Sequence, residues 1–144
     1  NAEDNEPLRA QGLIILGVVL FVVVAIFAQR TMVLEQFGPD QVIFHEGDEG
    51  RHVYVIKSGA VEVLLKRPDG SREVLNRLGP GDHFGEMALL RHAPRNATIR
   101  TATAAEVFKM TPSSFVALYT NLPGLRDHFN TVMEARLREL DSSR

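Results

Sequence analysis

The sequence predicts a mainly β fold, an antiparallel sandwich or jelly-roll with C-terminal helices, preceded by one transmembrane α-helix. Three observations predict it. A run with no polar side chain, Gly12 to Ala28, lies near the N-terminus. From Gln41 onward, β-branched and aromatic runs of strand length alternate with glycine turns. After Pro112 the apolar spacing lengthens to three- and four-residue steps.

The chain has 144 residues, enough for one compact domain plus an appendage. Lys and Arg number 16 against 18 Asp and Glu, a formal charge of −2. Nucleic-acid binding usually needs a basic excess, so no nucleic-acid partner is expected. There is no Cys, which excludes a disulfide scaffold, a thiolate zinc site and a Cys nucleophile. Its absence fits a reducing compartment.

The apolar run GLIILGVVLFVVVAIFA would make a helix about 25 Å long, slightly short of a ~30 Å hydrocarbon core. Met32, Val33 and Leu34 extend it if Arg30 snorkels. That places an N-terminal flank at 1–10 and the membrane helix at 11–34. A cleaved signal peptide wants a basic flank and an A-x-A exit. Here Glu3, Asp4 and Glu6 stand against Arg9 alone, and the exit reads Ile26-Phe27-Ala28. A buried core helix would need a polar face for water, and this run has none. Arg9 and Arg30 balance, so the positive-inside count leaves orientation open. Ala10, Gly17, Ala25 and Ala28 fall within an arc about 80° wide. Small side chains let another helix approach closely, so a transmembrane partner protein or complex is expected. A chain that opens on Asn reads as a processed product, an incomplete chain or a fragment of something longer.

Strands follow at Gln41–Phe44, Val53–Ile56, Val61–Leu65, Arg72–Leu78 and Ala105–Met110. Turn chemistry separates them at Glu46–Gly50, Lys57–Gly59 and Arg67-Pro68-Asp69-Gly70-Ser71. Pro112 to Tyr119 reads as a short helix, with capping chemistry at Ser113-Ser114. Asn121–Gly124 interrupts it. Leu125, Phe129, Val132, Met133, Leu137 and Leu140 then mark an amphipathic helix of about four turns.

The chemistry is concentrated between Gly79 and Thr98. Glycines there let backbone approach a ligand, and Glu86–Leu90 forms one helical turn with free amides for an anion. Arg95 offers a planar guanidinium suited to phosphate. Glu86 serves only as an acceptor, and a ribose hydroxyl is a natural donor.

FGEMALL followed by a basic loop and R-N-A-T resembles the phosphate-binding cassette of cyclic nucleotide-binding domains. These are the β-rolls of catabolite-activator-type regulators, protein kinase A regulatory subunits and cyclic-nucleotide-gated channels. Upstream, FHEGDEGRHVYVIKSGAVEV and LGPGDHFGE match the family's strand and turn pattern. The resemblance covers about Phe37 to Leu140. It implies a double-stranded β-helix, or β-roll, over 36–111 and lid helices over 112–144. It further implies that Glu86 accepts from the ribose 2′-OH, that Gly85, Met87 and Ala88 cradle the cyclic phosphate with backbone, and that Arg95 neutralises it. Asn96 occupies a slot that touches phosphate or a purine edge, and it is not the Thr typical of cGMP-selective members. The expected ligand is therefore cAMP, with cGMP the alternative, and no cofactor is implied beyond it. The last helix would be the lid, with no single lid residue identified. The small helical segment that usually precedes the first strand is truncated or replaced by the membrane helix, and no helix-turn-helix follows Leu140.

The five histidines show no H-x-H or H-x₃-H pair, so no metal site is expected. No nucleophile–base pair stands out, so an enzyme is not expected either. The combined expectation is a membrane-anchored regulatory sensor with its β-roll in the cytoplasm. Two rivals stand beside it. One is a single-span accessory subunit whose roll only docks. The other is the C-terminal part of a longer channel, transporter or membrane enzyme.

Overall fold

The computed structural model describes residues 6–143, with the side chains of residues 24–31 outside that description. Residues 1–5 of the predicted flank, and Ala25 and Ala28 of the small-residue face, thus lie outside the described residues or side chains. The chain divides into two units, Asn1–Met32 and Val33–Arg144.

The first unit is helix α1 (Glu6–Thr31), 26 residues long. At 1.5 Å per residue it spans about 39 Å, enough to cross a hydrocarbon core. Its large apolar side chains from Leu8 to Val23 are exposed, and nothing lies within 4 Å of the Cβ positions of Gly12 and Gly17.

In the second unit the chain forms β1 (Met32–Phe37), β2 (Val42–Phe44), β3 (Val53–Ser58), β4 (Val61–Lys66), β5 (Arg72–Leu78) and β6 (His83–Phe84). Helix α2 (Glu86–Leu90), β7 (Thr98–Thr101), β8 (Ala105–Met110), α3 (Pro112–Asn121) and α4 (Pro123–Ser143) complete it. The strands make two four-stranded sheets, ordered β1-β8-β3-β6 and β2-β7-β4-β5. Met32–Leu34, read from sequence as the end of the span, belong to β1 instead. A short apolar run suits either structure. Here the strand gains β8 as its sheet neighbour, and Glu35 reaches Lys109 at 3.3 Å.

The inner faces of both sheets supply one core. Tyr54, Ile56, Phe84 and Val107 from the first sheet meet Val61, Leu78 and Ile99 from the second. Each fully buried side chain of this size contributes about 1.5–3 kcal/mol. The β4–β5 hairpin closes as its turn residues require. Gly70 takes φ +86°, its N–H donates to the Arg67 carbonyl at 2.9 Å, and the Asp69 carboxylate accepts from the Ser71 N–H.

The tail packs as two helices joined at one non-helical residue, Leu122. Thr111, rather than Ser113, caps α3: its Oγ1 accepts from the Ser114 N–H at 3.3 Å, and Pro112 fills the first helical position. Helix α4 starts at Pro123, two residues before the expected Leu125, because Pro also fits a first turn. Across the break, Tyr119 donates to Asn130 Oδ1 at 2.6 Å, and the Phe115 and Phe129 rings meet edge to face at 4.9 Å. Further along, Leu140 packs on Leu65 and Met87, with Met133 and Leu137 beside them. The far end of α4 is thereby set against α2.

Candidate functional site

Strand β6 delivers the chain into the site, and Gly85 turns it. Gly85 holds φ +91°, and a Cβ there would meet the His52 carbonyl oxygen at 2.7 Å and Arg95 Nη1 at 3.0 Å. The sharp turn lets Glu86 open α2 with no side chain capping its first amides. After α2, the Ala93 N–H returns to the Ala88 carbonyl at 3.1 Å. The Arg95 peptide is then braced on both sides by the β2–β3 loop, donating to the Asp48 carbonyl at 2.9 Å and accepting from the Gly47 N–H at 2.7 Å.

The Arg95 side chain points inward and is 5 % exposed. Nη1 donates to the Gly85 carbonyl at 2.7 Å and Nη2 to the His52 carbonyl at 3.0 Å. The guanidinium lies 4.1 Å over the Phe44 ring. Nε is buried with no acceptor, and among the described residues no carboxylate lies within ion-pair distance of Arg95. Burial pushes its pKa down, against the pull of Tyr54, Glu86 and Asp48, yet a guanidinium stays charged in a protein. A buried cation without a counter-ion is expensive. This one is held in place by neutral carbonyls and can still accept an anion.

Glu86 is fully buried. Its Oε1 accepts from Arg136 Nη1 of α4, and its Oε2 faces His83 Nδ1 at 3.3 Å. Arg136 Nη2 donates to the His83 carbonyl at 2.7 Å, so one guanidinium bridges β6 and α2. Burial alone would raise the Glu86 pKa. The neighbouring His83 and the Arg136 charge outweigh it and hold the carboxyl below its ordinary 4.5.

Gly85, Glu86, Met87, Ala88, Arg95 and Asn96, the six residues expected from sequence, all line one cavity of about 60 Å³. They do not all face it alike. Met87 also packs against Leu140, and Asn96 Nδ2 sits 3.4 Å from Met87 Sδ. Glu86 is covered, where sequence reasoning placed it open to a ribose. Reasoning from sequence also missed three contributors: Phe44, His83 and Arg136. For Arg136 a signal existed. It lies three and four residues from Met133, Val132 and Leu140, on the apolar stripe of α4. A cation on such a stripe demands a buried acceptor. His83, as a lone histidine three residues before Glu86, carried no comparable signal.

The sequence profile described as "Cyclic nucleotide-binding domain" matches residues 34–121. The "Cyclic AMP receptor protein" of Thermus thermophilus is 33 % identical over 99 residues, covering 69 % of this chain and 46 % of the relative. The "Potassium/sodium hyperpolarization-activated cyclic nucleotide-gated channel 3" of Mus musculus is 34 % identical over 106 residues, covering 74 % of this chain and 13 % of the channel. This chain therefore spans less than half the length of these curated relatives. Among solved structures, the Thermus thermophilus catabolite activator protein superposes with a TM-score of 0.71 at 28 % identity, over 83 % of this chain and 56 % of that one. With the profile covering more than half of its residues, the two four-stranded sheets and the cassette between β6 and β7, the chain belongs to the cyclic nucleotide-binding domain family.

Proposed function

We propose that the chain is a membrane-anchored regulatory module that senses cAMP and does no catalysis of its own. One observation carries the ligand half of this reading: Arg95 is a buried cation with no carboxylate partner among the described residues and an unmatched Nε–H, at the wall of a cavity. A cyclic phosphodiester, with a single negative charge, is the complement of that wall. The preference for cAMP over cGMP rests on Asn96 standing where a Thr would favour cGMP. Helix α1 supports the anchor, since it is 26 residues long and carries no polar side chain from Gly12 to Ala28. Cyclic nucleotides are made and read in the cytoplasm, so the roll faces it. A partner of the membrane helix would receive the signal.

Calorimetry with cAMP and cGMP on the wild type and Arg95→Ala tests the ligand. The variant should lose roughly 2–5 kcal/mol of binding, as truncating one side of a buried charge pair does. Equal affinities would remove Arg95 from the site. The small cavity favours a second reading, a roll that only docks. Absence of binding by both proteins would select it. For the anchor, protease added outside sealed right-side-out vesicles should spare the roll, and digestion of the roll would overturn the orientation.

A further inference from the structure

We infer that Phe44 is the positioning residue of Arg95. Its ring stands in for a counter-ion, fixing the plane of the guanidinium while leaving the charge free for an anionic ligand. The identity of that ligand as a cyclic phosphodiester rests on the function proposed above, whereas the aromatic seat does not.

Strand β2 and the inter-sheet core build the seat. Between Val42 and Phe44, β2 advances two residues while its partner β7 moves by one, from Arg100 to Ile99. Such a bulge re-aims the side chains beside it. Phe44 packs against the core and also lines the cavity that Arg95 walls. Its ring lies 6.0 Å from Tyr54 and 5.9 Å from Phe84, and those two rings stack at 4.9 Å. Tyr54 and Phe84 are both buried. The Phe44 ring is therefore backed by fixed neighbours.

Face and edge of the guanidinium have different partners. An aromatic ring takes the flat face of an arginine, and hydrogen-bond acceptors take its edge. Phe44 holds the face, with Arg95 Cζ 4.1 Å from the ring centroid. The edge is spread over the Gly85 and His52 carbonyls, and Nε keeps an unmatched N–H. A carboxylate in place of the ring would neutralise the cation and compete with an incoming anion. The ring has no net charge, so it offsets part of the cost of burial without that competition. A guanidinium fixed in plane beforehand also loses less freedom when the anion arrives, which tightens binding.

The test uses the full chain in detergent micelles. Phe44→Leu keeps an apolar side chain and removes the π face. Mono-, di- and trifluorinated phenylalanine in place of Phe44 keep the ring shape and drain its π density stepwise. Calorimetry with cAMP should show binding weakened about threefold or more in Phe44→Leu, and falling step by step through the fluorinated series. Equal or tighter binding in Phe44→Leu overturns the inference. Weaker binding there with a level fluorinated series also overturns it, because the ring would then act by packing or by touching the ligand. Melting of the roll without ligand, followed by near-ultraviolet circular dichroism, gives a readout independent of cAMP. The melting temperature should fall with each fluorine in the wild-type background and stay level in the Arg95→Met background. Equal slopes in the two backgrounds overturn the seat. They are the deciding readout if no protein binds cAMP, an outcome in which the function proposed above fails. Should Phe44→Leu not fold, the fluorinated proteins decide the affinity.

Discussion

Gly85 decides whether the site can exist. Its positive φ and its approach to the His52 carbonyl leave no room for a side chain, and the atom that a Cβ would press next belongs to Arg95. Gly85→Ala should cost about 1–3 kcal/mol from backbone strain alone. It should also weaken cAMP binding, because Arg95 loses its carbonyl seat. Thermal melts and calorimetry check the two effects separately. Glu86 yields a pH prediction. Its pKa is depressed in the fold, so its stabilising contribution is fully present above the ordinary 4.5 and is lost as pH falls through the lower folded value. Wild type and Glu86→Gln should therefore differ in Tm by a constant amount at neutral pH and converge in acid. A difference that persists in acid would mean that the carboxylate charge is not what Arg136 recognises. Glu86 and Arg95 were legible in the sequence because the cassette is local, with nine residues between Gly85 and Arg95. Arg136 was marked only as a cation on the apolar stripe of α4, because its partner lies 50 residues away and only the fold unites them.

Among the elements, α4 holds its place through one apolar contact cluster and one polar bridge. Leu140→Ala removes a buried side chain from the cluster with Leu65 and Met87. Such truncations cost about 2–5 kcal/mol in a core. The expected outcome is faster hydrogen exchange in α4 with the sheets still protected, since the core between the sheets does not include Leu140. Loss of protection throughout would show that α4 folds cooperatively with the roll. Strand β1 illustrates the limit of sequence reading at this scale. Met32-Val33-Leu34 follows an apolar helix without a Gly or Pro, so neither period nor punctuation marks the change. The marker is β8, more than seventy residues away. The two short strands β6 and β7 went unread for a related reason, as two and four residues are too few to show a period. Strands β3, β4 and β5 were visible because glycine turns bound them on both sides.

Across the whole molecule, the division at Met32 separates a helix whose large apolar side chains from Leu8 to Val23 are exposed from a unit with its own buried core. Residues 33–144 own the inter-sheet core, so they should fold and bind cAMP without α1, and circular dichroism with calorimetry on that segment checks it. A segment that aggregates or fails to fold would make α1 part of the folding unit. Within the roll, the tail has a mechanical character set by the clasp at Leu122. Bending there would stretch the Tyr119–Asn130 hydrogen bond and part the Phe115 and Phe129 rings. The two helices consequently turn as one crank, with its bearing at Thr111 on the end of β8, an interior strand of its sheet. Arg136 lies far along the crank from that bearing, so a small rotation there carries its guanidinium beyond hydrogen-bonding distance of Glu86. Such a crank would part Arg136 from Glu86 without unwinding a single helical turn.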